Sequence, residues 1–258
     1  MALQPVTALG RTLFKTTITN LLPITMVIAT SLLTLGIITL IFNLTKKNHQ
    51  AVAALRTSGT SSSLLRNLYL HLSQLLKPPN PFTPPLIPAT ISTQRGYLET
   101  LPLRQGLRPR IVNQRQTTDL GLKPIRESLT SLLTTFERTH DAHCYLGRST
   151  FENGNMSLLA RTPGYTNTRY HGEICHLHPG DGSVHLNLHP ADIKTVVEAA
   201  WGERHPLAWE NWLLNVISPV PAWRTLVYCP RDEKEVEVIG EIIKAAAWWV
   251  GGGDVREY

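Results

Sequence analysis

The sequence predicts an α+β domain, a mainly antiparallel sheet with packed helices, preceded by one N-terminal transmembrane helix. Two turn signatures, Asn153-Gly154 and Pro179-Gly180-Asp181-Gly182, each separate two short runs, which marks antiparallel hairpins. Three stretches with apolar residues at helical spacing mix with these runs without a regular βαβ alternation. At 258 residues with 42% hydrophobic content, the chain suits one well-buried domain plus extra segments.

Charge is divided unevenly along the chain. Residues 1–98 carry eight Lys or Arg and no acid, whereas residues 99–258 carry 17 basic and 19 acidic side chains. The folded part is therefore close to neutral, which argues against a nucleic-acid partner and points the basic N-terminal part toward an anionic membrane lipid surface. From Leu21 to Phe42 the chain runs 22 residues without a charge and ends at Lys46 and Lys47. That length matches a bilayer and predicts an uncleaved single-pass anchor. The expected location is the endoplasmic reticulum or another endomembrane with the domain facing the cytosol, a mitochondrial membrane being the alternative. Leucines over 64–76 sit near helical spacing, and six prolines in "KPPNPFTPPLIPAT" predict an extended linker. The expected organisation is thus an N-terminal segment 1–50, a helix and proline-rich linker 51–92, and a folded domain 93–258.

Within the domain, "RESLTSLLTTFERTH" sets Leu129, Leu132, Leu133 and Phe136 on one helical stripe. "HPADIKTVVEAAWGERHP" predicts a helix opened by Pro190, with Ile193, Val196, Val197, Ala200 and Trp201 on one face and Gly202 as its stop. "WRTLVYCP" reads as a strand, and "RDEKEVEVIGEIIKAAAWW" as a final helix with Asp232 and Glu235 as a capping pair. Asn155-Met156-Ser157 is a glycosylation sequon expected to stay unmodified in a cytosolic domain.

The densest chemistry lies in "HGEICHLHPGDGSVHLNLHP", with five histidines in twenty positions. A four-residue turn at 179–182 pairs 178 with 183, 176 with 185 and 174 with 187. One face then carries His176, His178, Ser183, His185 and Asn187, and the other carries Cys175, Leu177, Val184, Leu186 and Leu188. Strand parity places Glu173 with the second set. Three meanings stay open for the histidine wall: a metal site of three imidazoles, proton transfer or ligand binding, and a solvated sheet face. The three cysteines, Cys144, Cys175 and Cys229, stand alone, and neither an HExxH helix nor a CxxC pair is present, so no metal is expected.

The blocks "LPLRQGLRPR", "RSTFE", "EICHLH…VHLNL", "WGERHPLA" and "LVYCPRDEKEV", in this order across residues 95–247, resemble the fungal luciferase family and its wider group of luciferase-like domains. The resemblance implies oxygen-dependent oxidation of a hydroxylated styryl-pyrone, 3-hydroxyhispidin, with neither flavin nor nucleotide and with O₂ as co-substrate. Such chemistry needs a base for an acidic enol, for which His176, His178 and His185 are candidates. A developing oxyanion needs donors, for which Arg204, His205 and Arg231 are candidates. A flat substrate needs an aromatic lining, for which Trp201, Trp223 and Tyr228, with Asn187 as a polar contact, are candidates. After "HPLA" the segment "WENWLLNVISPVPAW" departs from the luminous pattern, so oxidation rather than light emission is expected. The alternative function is a non-catalytic, membrane-tethered domain that binds a small molecule.

Overall fold

A computed structural model describes residues 26–40, 42–43, 46, 80–89, 91, 95–152, 154–164, 171–208 and 220–252. The chain divides into two compact units, Met1–Lys47 and Asn48–Tyr258. The described part of the first is helical over 26–40 (α1) and at 42–43 and 46. Among the described residues no helix is long and apolar enough to cross a membrane. This corrects the expectation of a transmembrane helix over 21–42, and with it the membrane location. The longest described helical run in this unit, 26–40, holds 15 residues, fewer than the roughly 20 that a span needs. Positions 21–25 and 41 of the expected span, and the leucine-rich stretch 64–76, lie outside the described residues.

The second unit is α+β. A two-stranded pair, β1 (Ile111–Val112) and β2 (Arg115–Gln116), precedes the helix α2 (Lys123–Thr139). Then come β3 (Cys144–Arg148), β4 (Met156–Ala160), β5 (Glu173–Leu177), β6 (Val184–Asn187), helix α3 (Pro190–Glu198), β7 (Gly202–Arg204), β8 (Arg224–Val227) and helix α4 (Glu233–Gly251). The six longer-range strands form one antiparallel sheet in the order β3-β4-β5-β6-β8-β7.

One face of this sheet packs on helices. Leu129, Leu133 and Phe136 of α2 and Ile239, Ile242, Ile243 and Ala246 of α4 share a core with Cys175, Leu177, Val184 and Leu186. The expected stripe of α2 and the expected capping pair of α4 are both present. Asp232 accepts the Glu235 N–H at 2.9 Å, while the Glu235 carboxylate reaches back to the Arg231 N–H at 2.9 Å. Residues at the proline-rich stretch lie against β7, where the Arg204 N–H donates to Pro81 O at 3.0 Å.

Helix α3 ends earlier than its apolar pattern suggests. Ala200 adopts φ 62°, and Gly202 opens strand β7 instead of stopping the helix. A Cβ on Gly202 would lie 2.3 Å from Leu226 O, so glycine is required by the close approach of β8. Trp201 consequently leaves the helix and is buried in the core, its Nε1–H bonded to Pro102 O at 2.6 Å.

Candidate functional site: a buried histidine and carboxylate cluster

The expected β5–β6 hairpin forms with the expected register. Residue 176 pairs with 185, and the His178 N–H donates to Ser183 O at 3.0 Å. His176, His178 and His185 therefore share the face opposite Cys175, Leu177, Val184 and Leu186. That face is not solvated: His176 is 0% exposed, and His178 and His185 are each 2% exposed. The three rings lie 4.7–5.2 Å apart between centroids, with His185 edge-on to both others. His176 Nε2 and His178 Nε2 approach to 3.1 Å, and His185 Nδ1 lies 3.3 Å from His176 Nε2.

Glu173 is on this face too, contrary to strand parity. Leu158 pairs with Cys175 but Leu159 pairs with Glu173, so one step on β4 spans two on β5 and Ile174 is the extra residue. The bulge turns Ile174 and Cys175 both into the core and swings Glu173 to the histidines. Asn187 Nδ2 donates to Glu173 O at 2.7 Å and secures the bulge. Glu173 Oε1 lies 2.6 Å from His176 Nδ1 and 3.1 Å from Arg224 Nη2, and Oε2 accepts from Ser149 Oγ at 2.9 Å. Burial alone would raise the Glu173 carboxyl, but Arg224, His176 and Ser149 outweigh it and hold the group well below the usual carboxylate range.

The far nitrogens of two imidazoles are thus fixed. Ionised Glu173 makes the shortest contact to His176 Nδ1, at 2.6 Å, and accepts its N–H; Arg224 Nη2, a donor only, also approaches this nitrogen, to 2.9 Å, and competes for it. His178 Nδ1 lies 2.8 Å from Ser183 Oγ, whose own proton goes to Asp181 Oδ1 at 2.6 Å, so His178 donates through Nδ1–H. Both assignments leave Nε2 as a lone-pair acceptor. Burial pushes the imidazoles of His176, His178 and His185 below their ordinary range, aided by Arg224 at His176 and by Arg115 at His178. All three are neutral at pH 7. Burial raises the Asp181 carboxyl to about 6, against Arg115 and Ser183.

The wall is covered by the β3–β4 loop, formed where the Asn153-Gly154 signature predicts a hairpin. Gly154 takes φ 94°, the Ser149 N–H reaches Asn155 O, and the loop presents Ser149, Phe151 and Glu152. Glu152 Oε2 lies 3.5 Å from His178 Nε2 and 3.9 Å from His176 Nε2, and pairs with Arg115 Nη2. Asn155 is buried and donates to Glu152 Oε2 at 2.8 Å, so the sequon asparagine is engaged inside the loop. Arg224 stacks 4.1 Å over the Phe151 ring, which packs with Leu207 and Val220.

The other predicted site residues divide. His205 joins the wall, its ring 5.5 Å from His185, and burial with Arg224 and His176 lowers it to about 3. Arg204 donates to the carbonyls of Thr83 and Ala208, each at 3.4 Å. Trp201 and Trp223 pack with the helical core, and the Tyr228 hydroxyl donates to Glu203 Oε2 at 3.3 Å. Arg231 pairs with Glu235 and donates to Gln105 O at 2.8 Å. Four of the residues in the cluster were not singled out from sequence: Arg115, Ser149, Glu152 and Arg224. The block "RSTFE" carried the signal for Ser149 and Glu152; lone arginines in "NQR" and "WRT" carried none.

Fold and site define an α+β protein whose sheet holds a buried imidazole–carboxylate centre under a hairpin loop. Residues 171–246, which span β5 to most of α4, match the luciferase domain family. The chain is 32% identical over 170 residues to a luciferase of Neonothopanus nambi and, to the same extent, to one of Armillaria mellea, and 31% identical over 171 residues to one of Armillaria ostoyae. Each match covers 59% of this chain and 62% of the relative, so the chain spans less than two thirds of the length of these relatives. Over these residues the chain is similar to fungal luciferases. No solved structure gives a significant match.

Proposed function

We propose that this chain is an oxygen-dependent oxidoreductase acting on a flat, enol-bearing pyrone or phenolic metabolite, with O₂ as co-substrate and with neither flavin nor nucleotide. The observation that carries this reading is the pair of convergent, neutral Nε2 atoms on His176 and His178, each held by a fixed Nδ1–H. A luciferase oxidises an organic substrate, and the relatives at 31–32% identity are luciferases. The enol O–H breaks, its proton passing to an imidazole Nε2, and the enolate ring gives an electron pair to O₂ as the new C–O bond forms. Arg115 Nη1 and Arg224 Nη1 are buried without a hydrogen-bond partner among the described residues, so two cationic N–H groups stand available to the resulting oxyanion. These arginines replace Arg204 and Arg231 in that role, and Phe151 with Leu207 and Val220 replaces the tryptophans as the lining for a flat ring.

The test is O₂ consumption and photon counting with 3-hydroxyhispidin under single-turnover and steady-state conditions. Stoichiometric O₂ uptake, reduced about 10² to 10⁴-fold in folded His178→Gln, supports the reading. Saturable binding without O₂ uptake would instead make the domain a non-catalytic small-molecule binder.

A further inference from the structure

We propose that Glu152, His176, His178 and His185 form a mononuclear site for a divalent first-row transition metal. The four side chains each offer one ligand atom, and these atoms all lie within 4.8 Å of one another in a buried setting. This departs from the expectation of a metal-free wall because the tertiary structure supplies a fourth ligand, Glu152, from a loop more than twenty residues before the hairpin.

Three features point to a cation. Metal–nitrogen bonds of about 2.1 Å place neighbouring imidazole nitrogens about 3.0 Å apart in an octahedron and about 3.4 Å apart in a tetrahedron. Two of the three imidazole nitrogen pairs are separated by 3.1 and 3.3 Å, and Glu152 Oε2 lies 3.5 and 3.9 Å from the Nε2 atoms of His178 and His176. Next, His176 Nε2 and His178 Nε2 both carry lone pairs, because each ring's proton is committed at Nδ1 to Glu173 or to Ser183. Two lone pairs facing at that distance repel unless a proton or a metal ion lies between them. Finally, the outer groups are those that hold metal-ligating histidines: a carboxylate on His176 Nδ1, and a hydroxyl on His178 Nδ1 that is itself backed by Asp181.

The local charge tolerates the ion. Glu152, Glu173 and Asp181 face Arg115 and Arg224, three carboxylates against two guanidiniums. Three imidazoles and a carboxylate suit iron, cobalt or zinc better than magnesium or calcium, and in an octahedron they leave two positions open. With the ion bound the imidazole Nε2 lone pairs are engaged, so the open positions would take the substrate enol oxygen, acidified by the ion in place of a free imidazole base, or O₂; that use rests on the proposed oxidation, and the binding itself does not.

The test uses the full chain, stripped with a chelator and titrated anaerobically with Co(II), followed by visible d–d absorption and by metal analysis with Zn(II) and Fe(II). One equivalent per chain is expected, with the melting temperature raised by saturating metal. Glu152→Gln and His178→Gln, checked for folding by circular dichroism, should each bind about 100-fold more weakly, or weaker still. His143→Gln, an exposed position outside the cluster, should bind as the parent does. If either variant misfolds, the parent chain alone decides. Absence of saturable uptake and of a thermal shift in the folded parent, or equal uptake by folded Glu152→Gln and His178→Gln, would overturn the site. Metal uptake without O₂ consumption would leave the site standing and remove the proposed oxidation.

Discussion

Replacing Glu173 by Gln removes one negative charge from the centre of the cluster while keeping nearly the same shape. In the native chain this fully buried carboxylate takes Arg224 Nη2 at 3.1 Å and His176 Nδ1 at 2.6 Å on Oε1, and Ser149 Oγ at 2.9 Å and the Thr150 N–H at 3.0 Å on Oε2. Glutamine has one acceptor oxygen instead of two, and the Arg224 guanidinium stays buried without its counter-charge. Breaking one partner of a buried pair costs about 3–5 kcal/mol. For a domain of this size that lowers the melting temperature by roughly 6–20 °C, at about 2–4 °C per kcal/mol. Equilibrium urea unfolding at pH 7, followed by far-UV circular dichroism, measures it. Because the folded carboxyl lies below its ordinary value, its stabilisation is fully present above the unfolded pKa of about 4.3 and is lost as pH falls through the folded one. The difference between parent and variant should therefore stay constant from about pH 5.5 to 8 and narrow below about pH 4.3. Adding Arg224→Met should recover part of the loss, since an absent pair costs less than a broken one. A single-variant change within about 0.5 kcal/mol would show that the bulge does not hold Glu173 against Arg224, and the account of the site would fail with it.

The metal-free chain should lose stability as pH falls from about 6.5. His205, whose folded value is about 3, stays neutral in the native state while the unfolded state takes up its proton, at about 1.4 kcal/mol per pH unit. Asp181, raised to about 6, opposes this between about pH 6 and 4, so His205→Gln should flatten the decline and Asp181→Asn should change it in the other sense when melting is scanned against pH. Leu186→Ala, on the helix-packed face, should cost about 2–5 kcal/mol in urea unfolding yet leave the turnover of folded molecules intact. Gly202→Ala should destabilise by about 1–3 kcal/mol, because its Cβ meets the Leu226 carbonyl; a neutral result would return Gly202 to the role of helix stop.

Local pattern sufficed where one element sets its own geometry. The turn residues 179–182 set the hairpin register, and alternation along β5 and β6 separated His176, His178 and His185 from Leu177, Val184 and Leu186. The stripe of α2 and the Asp232–Glu235 cap were legible for the same reason, since both are contacts made within a few residues. Where long-range packing competes with local periodicity, the sequence misled. The apolar pattern through Trp201 continues past the point where β8 claims Gly202, and the bulge at Ile174 reverses the face of Glu173. Burial of the histidine wall was not readable either, because alternation shows only that two faces differ. What lies over the polar one is decided by the β3–β4 loop and by Arg115 and Arg224, which come from other parts of the chain. Sequence by itself determined which imidazoles share a face; tertiary structure decided that they are dry, oriented and joined by Glu152, because burial and long-range ion pairs exist only once the chain has closed on itself.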